Sequence, residues 1–241
     1  MVSRIENASP IVKACIHSVI INRAKHPVYI ISKYNIEKYI YLPYHIKEKF
    51  NNRTFSVTHF SDIVRFALLS RYGGYWIDST FFLNTPLIKL NSTYFTLKLK
   101  YCWIKGHPFI KCLFSGNFMA VCKNSFIATY CYMAFLQYWK KYNSLIDYQL
   151  IDYIIHIAYI NIKEFTQKIN ALPFIECNIF LLAENFNSSY NKSHFLCSYN
   201  KLSYKRAVQS SNSNGMTNYG YLIENYKLGF KHIGKKLILN I

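Results

Sequence analysis

The run from Ser61 to Thr80, SDIVRFALLSRYGGYWIDST, joins an amphipathic helix to a short apolar strand that ends on a single acidic residue. Ile63, Phe66, Ala67 and Tyr72, with Val64, Leu68 and Leu69, give the helix a broad apolar face. Ser61 is placed as its N-cap, with Asp62 in the first turn. Gly73-Gly74 stops it, because a glycine after the last turn takes positive φ without steric cost. Tyr75, Trp76 and Ile77 are aromatic and β-branched, as a strand requires. Asp78 therefore falls at the C-terminal end of a strand, where open α/β sheets place their ligand crevices.

The rest of the chain alternates in the same way. Pro10 opens a helix to about Asn22, followed by His26-Pro27 and a strand over Val28–Ile31. Short helices are predicted over Asn35–Tyr39 and Tyr44–Phe50, and strands over Tyr94–Leu99 and Phe118–Val121. Longer helices follow over Ser125–Tyr142, Asp147–Ile160 and Ile162–Ile169. The cluster of Ser, Asn and Gly from Gln209 to Tyr219 reads as a surface loop. At 241 residues the chain is long enough for one sizeable α/β core, and no internal repeat is visible.

The formal charge of +18, from 29 basic and 11 acidic residues, suits an anionic partner such as a nucleotide diphosphate or a lipid surface. Its basic residues are scattered, however, as solvated surface lysines are. No nucleic-acid motif is present, so nucleic acid is not among the expected partners. Seven cysteines form an odd set without C-x-x-C or zinc-type spacing, which points to free thiols in a reducing compartment. The polar start, MVSRIENASP, lacks the apolar stretch of a secretory signal, and no run of about 18 apolar residues occurs. The expected location is cytoplasmic, with peripheral contact at the cytoplasmic face of an anionic inner membrane left open.

The helix, the double glycine and the strand ending in Asp78-Ser79-Thr80 resemble the core motif of the capsular polysaccharide synthesis proteins, among the glycosyltransferases that carry a DXD sugar-binding motif. Ala8-Ser9-Pro10-Ile11-Val12-Lys13, with Cys15 and Ser18, resembles that family's first helix. Ser115-Gly116-Asn117-Phe118 resembles its Ser-Asn-aromatic strand, and Leu145–Tyr148 and Lys201–Lys205 complete the series. The resemblance spans roughly residues 8 to 206. It implies an α/β, GT-A-like (Rossmann-related) nucleotide-diphospho-sugar transferase fold. Here that fold is expected to lack its first strand, since about nine residues precede Pro10. It also implies a catalytic domain over 1–206, with 207–241 as a C-terminal extension. The implied activity is transfer of a hexosyl unit, with retention, from a nucleotide-diphosphate sugar to a glycan or lipid-linked glycan acceptor.

Residue roles follow from the resemblance. Asp78 is the expected catalytic residue and ligand of a divalent ion, Mn²⁺ or Mg²⁺, which would neutralise charge growing on the departing diphosphate. Its motif, Asp-Ser-Thr, lacks the second carboxylate of a strict Asp-x-Asp. Asp62 and Arg65 match an S-D-x-x-R helix that contacts the donor sugar; by themselves they read as a cap and an i, i+3 ion pair. Asn117 is a candidate for donor-sugar hydroxyls or a plain turn residue. Asp147 is a candidate base for the acceptor hydroxyl or the N-cap of the helix that follows. Lys201 and Lys205 are candidate diphosphate ligands, and either also reads as a surface lysine. Asn200 stands where the family usually has a histidine beside the metal. An alternative is a degenerate member that binds sugar or nucleotide without turnover.

Overall fold

The computed structural model describes residues 5–87, 94–100 and 113–227, and the backbone of 238–240. In chain order the described helices are α1 (Pro10–Asn22), α2 (Tyr44–Asn51), α3 (Val57–Tyr72), α4 (Phe126–Lys141), α5 (Leu150–Asn161), α6 (Lys163–Ala171), α7 (Leu181–Glu184) and α8 (Asn218–Asn225). The strands are β1 (Tyr29–Ile31), β2 (Gly74–Ile77), β3 (Phe81–Leu83), β4 (Tyr94–Thr96), β5 (Lys98–Leu99), β6 (Phe118–Val121), β7 (Phe174–Ile175), β8 (Tyr199–Lys201), β9 (Ser211–Asn212), β10 (Gly215–Met216) and β11 (Ile238–Asn240). The architecture is mixed α/β with several small sheets. It divides into two compact units, the first holding Tyr34–Trp76 and Leu90–Glu176, the second Val2–Lys33, Ile77–Lys89 and Cys177–Ile241.

The first unit centres on the sheet β2-β6-β4. β6 is its middle strand and reads Phe-Met-Ala-Val, all buried, as a strand covered on both faces should. β4 runs antiparallel to β6, with Tyr94 opposite Val121 and Thr96 opposite Met119. α3 lies against α4, where Phe66 and Phe135 stack at 6.0 Å. α3 begins a turn earlier than its sequence suggested. Ser56, not Ser61, is the N-cap, accepting from the His59 backbone N–H at 3.4 Å. The apolar face extends back to Phe60, whose ring stacks on Phe50 at 3.9 Å, and that burial carries the helix past Ser61. Asp62 is consequently a mid-helix residue.

The C-terminal stop of α3 is as expected, with Gly73 at φ +66° and Gly74 at φ +88°. Gly73 is required twice, because a Cβ there would also lie 2.5 Å from the backbone nitrogen of Lys123. α5 starts at Leu150 rather than behind Asp147. The Asp147 carboxylate instead accepts from the Gln149 N–H at 2.7 Å, closing an Asx-type turn ahead of the helix. Lys98 on β5 is buried, and its ammonium donates to the carbonyls of Ile169, Asn170 and Leu172 at the end of α6. A cation there suits the negative end of the helix dipole.

The second unit is built on α1 and the antiparallel pair β3–β8, with Phe81 opposite Lys201 and Leu83 opposite Tyr199. Ser9 caps α1 and Pro10 occupies its first turn. Ser18, wholly buried, donates to the Cys15 carbonyl at 2.7 Å and accepts from the Leu83 N–H at 3.0 Å, which ties α1 to β3. Ile11, Ala14, Phe82, Leu182, Phe186 and Leu222 form the core around that joint. β1 pairs in parallel with β11.

Two expectations change in this unit. The stretch Gln209–Tyr219 is not a plain surface loop. It forms the β9–β10 pair and the start of α8, and Thr217 and Asn218 are wholly buried. Asn218 earns that burial by donating to the Asn185 carbonyl at 2.8 Å and accepting from the Asn191 N–H at 2.9 Å. Nor are all the thiols free. Cys177 and Cys197 form a disulfide, their Cα atoms 5.9 Å apart, while Cys15, Cys122 and Cys131 are free. The two bridged cysteines lie 20 residues apart without a motif, so only the fold reveals the pairing. Among the described residues no helix is long and apolar enough to cross a membrane.

Candidate functional site

In the first unit, α3 carries Asp62 and Arg65 one turn apart, and their side chains pair at 2.9 Å with each residue 4% exposed. The guanidinium also sits 4.9 Å from the centre of the Trp76 ring, so Trp76 supports an arginine rather than presenting a bare face. A third element meets this pair. A Cβ at Gly116 would lie 3.2 Å from the Arg65 Nη1 and 2.6 Å from the Ile151 Cδ1. The missing side chain thus lets Ser115–Asn117 run close beside the guanidinium.

That segment is itself fixed. The Ser115 backbone N–H donates to Thr96 Oγ1 at 2.7 Å, and Thr96 donates back to the Ser115 carbonyl at 3.1 Å. The Ser115 hydroxyl donates to the Asn117 carbonyl oxygen Oδ1. With Oδ1 engaged, the amide nitrogen of Asn117 is the group left for a ligand, and none of the described residues accepts from it. Asn117 thus sits on the segment that passes beside the Asp62–Arg65 pair.

Asp147 reaches the same helix by another route. His59 is buried, with Nδ1 2.8 Å from the Ser56 hydroxyl and Nε2 3.4 Å from the Tyr148 carbonyl. Its ring also meets the Tyr148 ring edge-on at 5.5 Å. Burial pulls the imidazole pKa below 6.5, against the opposing effect of the Tyr148 carbonyl. The neutral ring therefore pins the Asp147-Tyr148 turn to the first turn of α3.

In the second unit Asp78 and Lys201 come together. The Lys201 ammonium lies 3.1 Å from Asp78 Oδ2 and donates to Thr80 Oγ1 at 2.8 Å. Both backbones are held: the Phe81 N–H donates to the Asp78 carbonyl at 2.9 Å, and the Lys201 N–H to the Ile179 carbonyl at 2.8 Å. Desolvation by burial pushes the pKa of the Cys15 thiol up and outweighs the charge of Lys201, which the thiol also feels and which lowers it. That thiol stays neutral and leaves Asp78 to balance the ammonium. The pair is partly open, with side chains 20% and 26% exposed. Asn200 next door is wholly buried, its amide donating to the Cys197 carbonyl at 2.8 Å. Lys205 is exposed.

A family model described as capsular polysaccharide synthesis protein matches residues 3–221. The chain belongs to that family. No curated protein and no solved structure matches it.

The divalent ion expected of this family member can be tested against its residues. Among the described residues no group of three or more His, Cys, Asp and Glu side chains converges. Asn200, the other expected ligand, donates its amide nitrogen to a backbone carbonyl and has a buried Oδ1 without a partner among the described residues, but as the strand neighbour of Lys201 it points to the opposite face of β8 from the ammonium that Asp78 holds. Asp78 already holds an ammonium, and a dication on the same carboxylate, about 4 Å from that ammonium, would be repelled by roughly 8 kcal/mol at an effective dielectric constant of 20. Partial exposure screens some of this, yet several kcal/mol remain. The residues present do not fit a resident metal.

Sequence reading missed Thr80, His59 and the spacing role of Gly116. Thr80 closes the Asp78-Ser79-Thr80 motif and needed only to be read as a donor-holding group. His59 had one signal, since a Ser three residues before it can cap a helix, but Ser61 offered the same pattern. Nothing in the sequence placed Gly116 beside Arg65.

Proposed function

We propose that the chain is a glycosyltransferase moving a hexosyl unit from a nucleotide-diphosphate sugar to a glycan or lipid-linked glycan acceptor, in capsular or other surface polysaccharide synthesis. Membership of the capsular polysaccharide synthesis family supports the pathway. The observation that carries the chemistry is the Lys201 ammonium held by Asp78 and Thr80 on a partly open surface. In such a transfer the bond from the anomeric carbon to the diphosphate oxygen breaks, its electron pair leaves with the diphosphate, and the acceptor oxygen bonds to the same carbon. Negative charge grows on the leaving group, and a positioned cation stabilises it.

Roles within the first unit follow from exposure. Asp62 and Arg65 are almost wholly buried, so they act as positioning residues for Ser115–Asn117. The amide nitrogen of Asn117 then donates to a sugar oxygen. Asp147, half-buried beside Tyr148, takes the acceptor proton. Lys205 adds a second, exposed charge for phosphate. The GT-A-like fold and contact with an anionic membrane belong to the same proposal, the first supported by family membership and the second by the charge of +18, while the Cys177–Cys197 disulfide speaks against the expected cytoplasmic setting.

Purified protein assayed against a panel of UDP- and GDP-sugars for binding, hydrolysis and transfer tests the reading. Release of one nucleotide is expected, and Asp78→Ala should lower turnover at least a hundredfold with an unchanged circular dichroism spectrum. Full activity in that variant would remove Asp78 from the site. The buried Asn200, at the position where the resemblance implies a histidine, favours a second reading, an inactive member that binds donor without turning it over. Calorimetric binding without any nucleotide release would select it.

A further inference from the structure

We infer that Lys201 takes the place of the divalent ion, so that this protein binds the diphosphate of its donor without metal and uses Asp78 to hold the lysine rather than a cation. The inference rests on the glycosyltransferase reading above and concerns how that site neutralises its ligand.

An ammonium has three N–H donors. In this structure one faces Asp78 Oδ2 at 3.1 Å and one faces Thr80 Oγ1 at 2.8 Å, which leaves the third without an acceptor among the described residues. The stem is fixed as well. Lys201 is the last residue of β8, opposite Phe81 of β3, and its ammonium stands 5.3 Å from the centre of the Phe81 ring. A cation anchored on a carboxylate, a hydroxyl and an aromatic face loses little further freedom when an anion arrives, which is the condition for electrostatic preorganisation. The third donor is free to reach a phosphate oxygen, giving a charge-assisted hydrogen bond.

The surroundings agree. The fully buried Cys15 thiol, which feels the charge of Lys201, is kept neutral by desolvation and so does not itself compete as an anion for the ammonium. Asn200, the residue before Lys201 on β8, points to the opposite face and donates its amide to the Cys197 carbonyl. Thr80 and Lys201 are further coupled through the backbone, because the Leu202 N–H donates to the Thr80 carbonyl at 2.8 Å. The set is thus built on the β3–β8 pair.

The test is isothermal calorimetry and turnover with the full chain and UDP- and GDP-sugars, in EDTA and in Mn²⁺, together with binding of Mn²⁺ alone. Donor affinity and turnover should agree within about twofold between EDTA and Mn²⁺, and Mn²⁺ alone should not bind stoichiometrically. Lys201→Met, which keeps most of the apolar stem, should weaken donor binding at least tenfold in EDTA. Donor binding that appears only with Mn²⁺, or a Lys201→Met protein that binds donor as tightly as the parent, overturns the inference and leaves the glycosyltransferase reading standing. If no nucleotide sugar binds in either condition, that reading falls and takes the inference with it. Should Lys201→Met fail to fold, the EDTA comparison on the parent protein decides alone.

Discussion

Arg65 and Asp62 neutralise each other where water is almost excluded, and this makes them the most exacting pair in the first unit. Replacing Arg65 by Met leaves the Asp62 carboxylate buried without its guanidinium, and such losses cost about 3–5 kcal/mol. Urea denaturation of Arg65→Met should show a loss of that order, whereas an exposed pair such as Lys168–Glu164 should yield under 1 kcal/mol when broken. His59 is exacting in another way. Its folded pKa lies below the unfolded value near 6.5, so between the two the unfolded chain holds more protons than the folded one. The stability it contributes is complete above pH 6.5 and is lost as pH falls toward the folded pKa. His59→Gln should flatten that part of the stability–pH curve, measured as the difference between parent and variant; an unchanged slope would show that burial does not hold the imidazole pKa down.

At the scale of elements, most of what the sequence offered was periodicity and punctuation, and these were legible. α1, β2, β6 and α4 fall within a residue or two of their expected bounds, because Ser9-Pro10, Gly73-Gly74 and the run Phe118–Val121 leave local physics little choice. The start of α3 was not legible, since Ser56 and Ser61 offer equal caps and only the stacking of Phe60 on Phe50 selects the earlier one. Asp147 was ambiguous for the same reason, a short acceptor that serves an Asx turn as readily as a cap. Gly73 turns this argument into a number. With φ at +66° and the Lys123 nitrogen 2.5 Å from any added Cβ, Gly73→Ala should destabilise by about 2 kcal/mol or more, measured by chemical denaturation. A neutral substitution would show that β2 and the Cys122–Lys123 turn do not approach as described. Of the candidate site, residue types were readable in advance, but the pairings Asp78–Lys201 and Arg65–Gly116 join residues 123 and 51 positions apart in the chain and needed the fold.

Across the whole molecule, the two units draw on the chain differently. The first takes two stretches, the second three, and the second adds the Cys177–Cys197 link. Closing a loop of that length, a separation of 20 residues, contributes about 3 kcal/mol by restricting the unfolded chain. Reduction with dithiothreitol should therefore lower the thermal transition of the second unit, followed through hydrogen exchange at α1 and β8, while exchange in α3 and α4 stays as it was. The order of the segments also matters at the ribosome. Everything the first unit needs has emerged once Glu176 is clear of the exit tunnel. The second unit cannot close then, because α1 and β3 wait for β8 and α8, made from residues 199–225. During synthesis α1 can meet β3 early, but the joint they form stays uncovered until β8 and α8 are made, a window in which holdase chaperones would find their substrate.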